Sequence, residues 1–244
     1  MILNRLAEAL RRRSDAEPER VGTTLDELIP PEITNDPFAE IIETIAASEG
    51  VREILEIGSS TGEGSTAAWV RGALRNPERP RLHCIEVSEA RHAALVERWG
   101  ENDFVVCHHL SSVPVERFPT ADEIERFYNT EPTNLREFPL DAVISWLKQD
   151  VDYLREHSLS SDGIAEVKRQ YGIDVFDAVL IDGSEFTGLA ELDEVYGARF
   201  ILLDDTETYK NWHGSRRLRD DHSYRLVHAD SAVRNGFAVF ERLP

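Results

Sequence analysis

The sequence lacks the features that would place it in a membrane or in an oxidising compartment. Its 244 residues include two cysteines, Cys84 and Cys107. They form neither a zinc-binding spacing nor a C-x-x-C motif, so we expect buried, reduced thiols in a cytoplasmic protein. No stretch approaches the ~20 apolar residues of a membrane span, and the N-terminus shows no apolar segment typical of a secretory signal.

Basic residues are also scarce. The chain has 27 Lys and Arg against 46 Asp and Glu, which gives a formal charge of −19. A nucleic-acid-binding protein normally presents a basic surface to the phosphates, and this composition predicts the opposite. The one basic triple in the sequence, residues 11–13, is typical of a solvated helix face. The composition therefore predicts no nucleic-acid partner and no membrane partner.

Residues 1–33 are predicted to precede the main domain as a helix and a linker. Apolar residues recur at helical spacing over 1–13, which predicts an amphipathic helix that packs on the body or on a second copy in a homodimer. Residues 14–33 are polar and contain proline, as linkers do. The main domain then spans 34–244 and begins with a helix predicted over 37–48.

From residue 51 onwards, short apolar runs alternate with helical segments. Alternation of this kind predicts an α/β fold, in which a parallel sheet is covered by helices on both faces. The last two runs are separated by a segment ending in Asn-Gly at 235–236, which predicts an antiparallel C-terminal hairpin. The sequence thus predicts a doubly wound, seven-stranded, mostly parallel sheet. The predicted strands lie within 51–58, 81–87, 103–110, 176–182, 198–205, 223–229 and 236–242.

Residues 111–174, between the third and fourth predicted strands, are too many for an ordinary connection. Three helices are predicted there, one opened by a capping box at Thr120–Glu123, one over 140–157 and one over 162–171. We interpret the segment as a helical insertion that caps a ligand pocket. Its aromatic residues either line that pocket or pack between the helices; they are Phe127, Tyr128, Trp146 and Tyr153.

A glycine-rich turn follows the first predicted strand. Gly58, Gly62 and Gly64 come directly after that strand and before a helical segment. Glycine permits a positive φ and a close backbone approach, and the start of a helix offers unpaired N–H groups to an anion. We therefore expect the turn to hold a phosphate or carboxylate group of a ligand. The neighbouring hydroxyl residues include Ser59, Ser60, Thr61 and Ser65.

Two classes of nucleotide-binding enzyme have turns of this kind. The G-x-x-x-G-x-G spacing also occurs in short-chain dehydrogenases, which use a Tyr-x-x-x-Lys pair, and no tyrosine here has lysine four residues later. The E-x-G-x-x-x-G pattern that starts at Glu56, together with the terminal hairpin, resembles motif I and the fold of class I S-adenosylmethionine-dependent methyltransferases. The resemblance covers about residues 34–244, implies a Rossmann-like sheet, and has the 111–174 insertion as its main departure.

The resemblance implies how the cofactor would be held. The glycine turn would bind the methionine portion, and Glu56 would help to bind its ammonium group through water. Glu86, at the end of the second strand, would accept hydrogen bonds from both ribose hydroxyls, and residues 108–111 would lie near the adenine. The implied cofactor-binding residues are Glu56, Gly58, Ser59, Ser60, Gly62, Ser65, Glu86 and Ser111.

Three aspartates follow the fourth and fifth predicted strands. Asp182 ends the fourth, and Asp204 and Asp205 end the fifth. Neighbouring strands lie ~5 Å apart, so the three carboxylates would converge and repel one another unless a cation lies between them. A hard divalent cation such as Mg²⁺ accepts oxygen ligands of this type. Capping of the following helices, or contact with the cofactor, is the alternative interpretation.

These aspartates are similar to those of metal-dependent small-molecule O-methyltransferases of the catechol, caffeoyl-coenzyme A and macrocin types. The similarity implies methyl transfer to a hydroxyl activated by a divalent metal. Where those relatives often have Asp-Gly-x-His, this chain has Asp182-Gly-Ser-Glu185, so Glu185 or His213 would take the proton. Asp182, Glu185 and His213 are thus the implied catalytic residues. An NAD(P)-dependent oxidoreductase and a non-catalytic nucleoside-binding module are the alternative functions.

Overall fold

The structure is a computed structural model, and it describes residues 25–244. The helix predicted over 1–13, and the dimer contact assigned to it, lie outside the described residues. Within 25–244, seven β-strands and eight α-helices follow one another. They are α1 Pro37–Ala46, β1 Glu53–Ile57, α2 Ser65–Arg75, β2 Arg81–Glu86, α3 Glu89–Trp99, β3 Val105–His109, α4 Ala121–Thr130, α5 Leu140–Glu156, α6 Gly163–Tyr171, β4 Ala178–Ile181, α7 Gly188–Val195, β5 Phe200–Asp204, α8 Tyr209–Asp220, β6 Tyr224–Asp230 and β7 Phe237–Arg242.

The strands form one sheet in the order β3-β2-β1-β4-β5-β7-β6. The first five strands are parallel, and β7 runs antiparallel to both β5 and β6, so the predicted sheet and its terminal hairpin are confirmed. Ile57 at the end of β1 pairs with Ile85 on one side and Ile181 on the other. The chain order reverses between β1 and β4, and this is where open α/β sheets bind their ligands.

Both faces of the sheet are buried, which explains why its central strands are almost continuously apolar. On one face, Trp69 of α2 and Leu95 of α3 pack with residues of α1. On the other face, Val167 of α6, Leu192 of α7 and Leu218 of α8 pack on the sheet. The helices on the two faces therefore hold the carboxyl ends of the parallel strands at one common edge.

The predicted insertion divides into two parts in the structure. Helices α4 and α5 form a cluster of their own, with Phe127 and Leu147 packed against Phe186 and Trp212. Helix α6 instead belongs to the layer that covers the sheet. The capping box predicted at α4 is present, since the Thr120 side chain accepts from the Glu123 backbone and the Glu123 side chain accepts from Thr120. Of the three helices of the predicted insertion, α4 and α5 therefore form a separate cluster, and α6 is part of the layer that covers the sheet.

Two smaller expectations concern the cysteines and the terminal hairpin. Cys84 is buried as predicted, whereas Cys107 is only half-buried. The connection between β6 and β7, predicted over 230–235, spans residues 231–236. Among the helices of residues 25–244, none combines the length and apolar character needed to cross a bilayer.

Candidate cofactor and acceptor site

A cavity of about 650 Å³ lies at the carboxyl edge of the sheet, within the size range of small-molecule sites. The turn after β1, the ends of β2, β4 and β5, helix α5 and the segment 25–33 surround it. Most of the predicted site residues line this cavity, namely Gly58, Ser59, Ser60, Ser65, Glu86, Ser111, Asp182, Glu185 and Asp205. Four predicted residues are not part of its lining, namely Glu56, Gly62, Asp204 and His213.

The turn after β1 is fixed between its two neighbouring strands. The backbone N–H groups of Gly58 and Ser59 donate to the carbonyl of Ile85, at 3.0 and 3.1 Å. Gly58 has a φ of +85°, and a Cβ at that position would lie 2.0 Å from the carbonyl oxygen of Asp182. Only glycine lets the turn approach β4 this closely. The sequence therefore needs a glycine here for packing as well as for ligand approach.

Glu86 is held by the backbone on both carboxylate oxygens. Its Oε2 accepts from the N–H of Ser60 and its Oε1 from the N–H of Ser88, each at 2.8 Å. Its side chain is buried, and burial raises the pKa of Glu86 above its ordinary value. Because a carboxylate has about four acceptor positions, two more donors can bind it from the cavity. This geometry fits the paired hydroxyls of a ribose.

Glu56 and Gly62 lie behind the turn rather than in the cavity. The Glu56 carboxylate is fully buried and accepts from the Thr66 hydroxyl at 2.5 Å, and burial raises the pKa of Glu56. Its Oε1 has no hydrogen-bond partner among the described residues. A Cβ on Gly62 would lie 2.6 Å from the Trp99 ring. Both residues therefore support the turn on the side away from the cavity, and neither is placed for direct contact with a ligand.

The residues after β3 divide in the same way. Ser111 lines the cavity, and its hydroxyl donates to the carbonyl of Val113 at 2.6 Å. His108 instead lies 3.1 Å from His83, ring nitrogen to ring nitrogen, and is buried away from the cavity. Of the residues predicted near the adenine, the serine is therefore at the site and His108 is part of a buried histidine pair.

The aspartates after β4 and β5 do converge, as the sequence predicts. One oxygen from each of Asp182, Asp204 and Asp205 lies within 4.8 Å of the others. Two cationic side chains of the chain itself bind them. The Lys210 ammonium lies 2.9 Å from Asp182 Oδ1 and 2.6 Å from Asp205 Oδ2, and Arg234 Nη2 lies 2.7 Å from Asp204 Oδ1. The repulsion among the carboxylates is therefore relieved by lysine and arginine.

These contacts do not fit a magnesium ion. An ion bound to the same oxygens of Asp182 and Asp205 would have to share them with the Lys210 ammonium. The repulsion between two unit charges roughly 4 Å apart is about 4 kcal/mol near a protein surface, and a divalent ion doubles it. The second oxygen of Asp205 accepts from Asn235 Nδ2 at 3.2 Å. Both oxygens of Asp205, and Oδ1 of Asp182, are therefore already bound by side chains of the chain itself.

The cluster shifts the titration of its members. Burial, and then Asp205, raise the pKa of Asp204 to about 6, and burial raises the pKa of Asp182 well above its ordinary value. Burial also raises the pKa of Glu185 to about 7. Burial alone would lower the pKa of Lys210, but Asp182 and Asp205 raise it well above its ordinary value. The lysine is thus charged, and Glu185 lies near the balance of its two forms at neutral pH.

The two predicted proton acceptors have different positions. Glu185 lines the cavity, and its Oε1 accepts the backbone N–H of Lys210 at 3.1 Å. His213 is an exposed residue of α8, and its ring lies against the rings of Phe127 and Tyr209, with centroids 5.5 and 6.0 Å away. His213 is therefore a packing residue under the insertion, and the prediction of a catalytic His213 finds no support in its position.

Segment 25–33 and helix α5 cover the cavity. Tyr153 of α5 donates its hydroxyl to Asp26 Oδ1 at 2.7 Å, and the same oxygen accepts from the Ser88 hydroxyl at 2.9 Å. Trp146 lines the cavity, whereas Phe127 and Tyr128 pack within the insertion. Trp146 thus agrees with the interpretation that the aromatic residues line the pocket, and Phe127 and Tyr128 agree with the interpretation that they pack between the helices.

Sequence reasoning missed Lys210, Arg234 and Asp26. Lys210 lies in the first turn of α8, five residues after Asp205. A cationic residue this close to an acidic pair in the sequence indicates an ion pair between them. Arg234 precedes the Asn-Gly pair of the hairpin and has a φ of 50°. No local sequence pattern predicts this backbone conformation. Asp26 lies in the segment that looked like a linker.

No protein-family model matches this chain, and no curated protein matches it. Solved structures do. The O-methyltransferase from Bacillus cereus in complex with SAH is 15% identical, with a TM-score of 0.51 over 88% of this chain and 84% of that one. A putative O-methyltransferase from Klebsiella pneumoniae is 12% identical, with a TM-score of 0.51 over 98% of this chain and 97% of that one. The chain therefore has the Rossmann-like fold of class I S-adenosylmethionine-dependent methyltransferases.

Proposed function

We propose that this protein transfers a methyl group from S-adenosylmethionine to a hydroxyl oxygen of a small organic molecule. The observation that carries the proposal is Glu86, held by the N–H groups of Ser60 and Ser88 and facing the same cavity as the glycine turn. The cofactor, when bound, supplies an electrophilic methyl group on a sulfonium. Glu86 would bind its ribose, and the turn of residues 58–65 would lie along its methionine portion.

The remainder of the cavity suits an apolar acceptor. Leu28, Phe118, Trp146 and Phe186 contribute to its lining, together with the polar residues that follow β4 and β5. Large aromatic side chains bind flat, apolar ligands through their area and their ring faces. The high negative charge of the chain disfavours polyanionic acceptors. We therefore propose a small molecule that carries an apolar body and a hydroxyl group.

Glu185 is the residue that we propose as the proton acceptor. It lines the cavity beside Lys210, and its pKa is raised by burial to about 7. A base with a pKa near the working pH transfers protons most effectively. Glu185 would take the proton that the acceptor hydroxyl loses as its oxygen bonds to the methyl carbon. Asp182, which lines the cavity next to it, would hold Lys210 in place.

Calorimetric titration with S-adenosylhomocysteine tests the proposal. We expect the wild type to bind it and Glu86→Ala to bind it roughly 10- to 100-fold more weakly for each ribose hydrogen bond lost, because each hydrogen bond to a charged group is worth about 1.5–3 kcal/mol. Glu97→Ala removes an exposed carboxylate from α3 and should bind like the wild type. Thermal unfolding of both variants verifies that they fold.

The alternative functions have their own outcome in the same titration. Binding of NAD or NADP without binding of S-adenosylhomocysteine would replace the proposal with an oxidoreductase. Binding of S-adenosylhomocysteine by wild type and Glu86→Ala with equal affinity would remove Glu86 from the site. The homodimer and the cytoplasmic location stay predictions of the sequence.

A further inference from the structure

The positive charge between the site's carboxylates comes from the chain itself. We propose that Lys210 occupies the position of a divalent metal ion, so that this site works without one. What the lysine would do in catalysis rests on the proposed methyl transfer, whereas its exclusion of a metal ion does not. The two aspects are therefore measured separately.

The position of the lysine carries the inference. Its ammonium bridges Asp182 Oδ1 and Asp205 Oδ2, at 2.9 and 2.6 Å. The ammonium therefore lies between the two carboxylates that a metal ion between β4 and β5 would use as ligands. The Lys210 side chain is only 7% exposed, and its backbone N–H is bound by Glu185. A buried, doubly paired ammonium leaves its carboxylates only at a large cost, because separation leaves buried charges unpaired.

The third aspartate has a different task. Arg234 binds Asp204 Oδ1 at 2.7 Å and also pairs with Asp36, at the start of α1. Asp204 is 1% exposed and does not line the cavity. The pair therefore ties the hairpin to the sheet and to α1. Of the three predicted metal ligands, only Asp182 and Asp205 line the cavity, and Lys210 binds both.

An ammonium can replace part of what a metal ion does. It has three N–H donors, and the two aspartates take two of them. Lys210 lines the cavity, so a third donor is available to the oxygen of an acceptor. A donor at this place stabilises the negative charge that grows on that oxygen as Glu185 takes its proton. One donor needs one acceptor oxygen, whereas a metal chelate favours two adjacent oxygens.

Manganese binding, followed by electron paramagnetic resonance, tests the inference. We expect the wild type to leave added Mn²⁺ in its free aqueous form, with a midpoint of thermal unfolding that neither EDTA nor Mg²⁺ changes. Lys210→Met keeps the aliphatic stem and removes the ammonium from both aspartates, so this variant should bind one Mn²⁺ per chain and gain thermal stability from it. Lys148→Met, a change at an exposed lysine of α5, is the matched control and should bind none.

Two results would overturn the inference. One is a wild type that binds one Mn²⁺ per chain and loses it on Asp182→Asn. The other is a folded Lys210→Met variant that still binds no Mn²⁺. Should Lys210→Met fail to fold, the wild type and Asp182→Asn alone decide. S-adenosylhomocysteine is titrated into the same samples, so a failure of the proposed function shows as lost cofactor binding while manganese exclusion remains.

Discussion

Two residues of the site adopt backbone conformations that residues with a side chain rarely adopt. Ser60 and Asp205 have φ values of 48° and 52°, in the left-handed region, and both line the cavity. Such a conformation costs on the order of 1–3 kcal/mol and persists only where the surrounding contacts impose it. Here the backbone N–H of Ser60 donates to Glu86, and the side chains of Lys210 and Asn235 donate to the Asp205 carboxylate. The strain therefore lies where ligands would bind.

The buried histidine pair predicts an acid-sensitive stability. Burial, and then His108, lower the pKa of His83 to about 3, and burial lowers the pKa of His108 to about 4. Glu53 Oε2 lies 3.2 Å from His83 Nε2, burial raises the pKa of Glu53, and Arg81 pairs with the same carboxylate at 3.6 Å. Arg81 and the Tyr171 ring also face His83.

Because both pKa values are lowered on folding, the unfolded chain binds more protons below pH ~6.5, and stability falls as the pH falls. Between the pKa of a histidine in the folded chain and its pKa in the unfolded chain, the free energy of unfolding falls by about 1.4 kcal/mol for each pH unit that the pH is lowered. We expect His83→Gln to flatten this slope by about that amount in urea unfolding at roughly pH 4–6.5. His222→Gln, at an exposed ring, is the control. Equal slopes for wild type and His83→Gln would contradict the assignment.

Among the structural elements, the turn between β1 and α2 depends on the approach of β4. The turn is bound to β2 through the Ile85 carbonyl and lies against the Asp182 backbone through Gly58. Its shape is thus set by two neighbouring strands and does not arise from the turn alone. A substitution at Gly58 acts on the sheet edge as well as on the turn.

Alanine at two glycines separates strain from crowding. Gly172, at the end of α6, has a φ of +68° with nothing within 4 Å of an added Cβ. Gly172→Ala should therefore cost about 1–2 kcal/mol, the penalty that a Cβ brings to a left-handed backbone. Gly58→Ala has the same kind of strain and adds a clash with backbone at 2.0 Å. Strain and overpacking together should cost about 3 kcal/mol or more.

Urea unfolding measures the free energy lost in both glycine variants. Equal losses in the two would mean that β4 moves away easily and that the close approach is not needed.

Across the full fold, segments far apart in sequence close the site together. Asp26 lies next to Tyr153 of the insertion and to Ser88, just after the Glu86 that would bind the ribose. The Tyr153 hydroxyl also accepts the backbone N–H of Glu89 at 3.0 Å. Segment 25–33 and helix α5, which cover the cavity, are therefore hydrogen-bonded to the residues that directly follow Glu86.

Loss of these hydrogen bonds should speed the release of the cofactor. Tyr153→Phe removes the hydroxyl bonds to Asp26 and Glu89. Each such bond contributes about 0.5–1.5 kcal/mol, so S-adenosylhomocysteine should dissociate roughly three- to tenfold faster for each of the two bonds lost. Tyr128→Phe removes a hydroxyl bond to Phe138 within the same insertion, away from the cavity, and should leave the dissociation rate unchanged. Stopped-flow release measures both rates, and matching rates for the two variants would contradict a role for the cover.

The layered sheet, the glycine turn and the carboxylates at the strand ends all follow from the sequence alone. A local sequence pattern predicts each of them: the periodicity of apolar residues, a glycine after a strand, or the residue at which a strand ends. Glu86 and Asp182 were readable for this reason, since their position in the register follows from the strand they end. The terminal hairpin was readable from its Asn-Gly pair.

Tertiary packing, by contrast, determines which cations meet those carboxylates and which candidates reach the cavity. Lys210 comes to Asp182 from 28 residues away, and Arg234 to Asp204 from 30, because α8 and the hairpin pack beside β5. The same packing leaves His213 against the insertion and Glu56 behind the turn. Side-chain partners of this kind depend on how elements pack in three dimensions, and apolar periodicity carries no information about them.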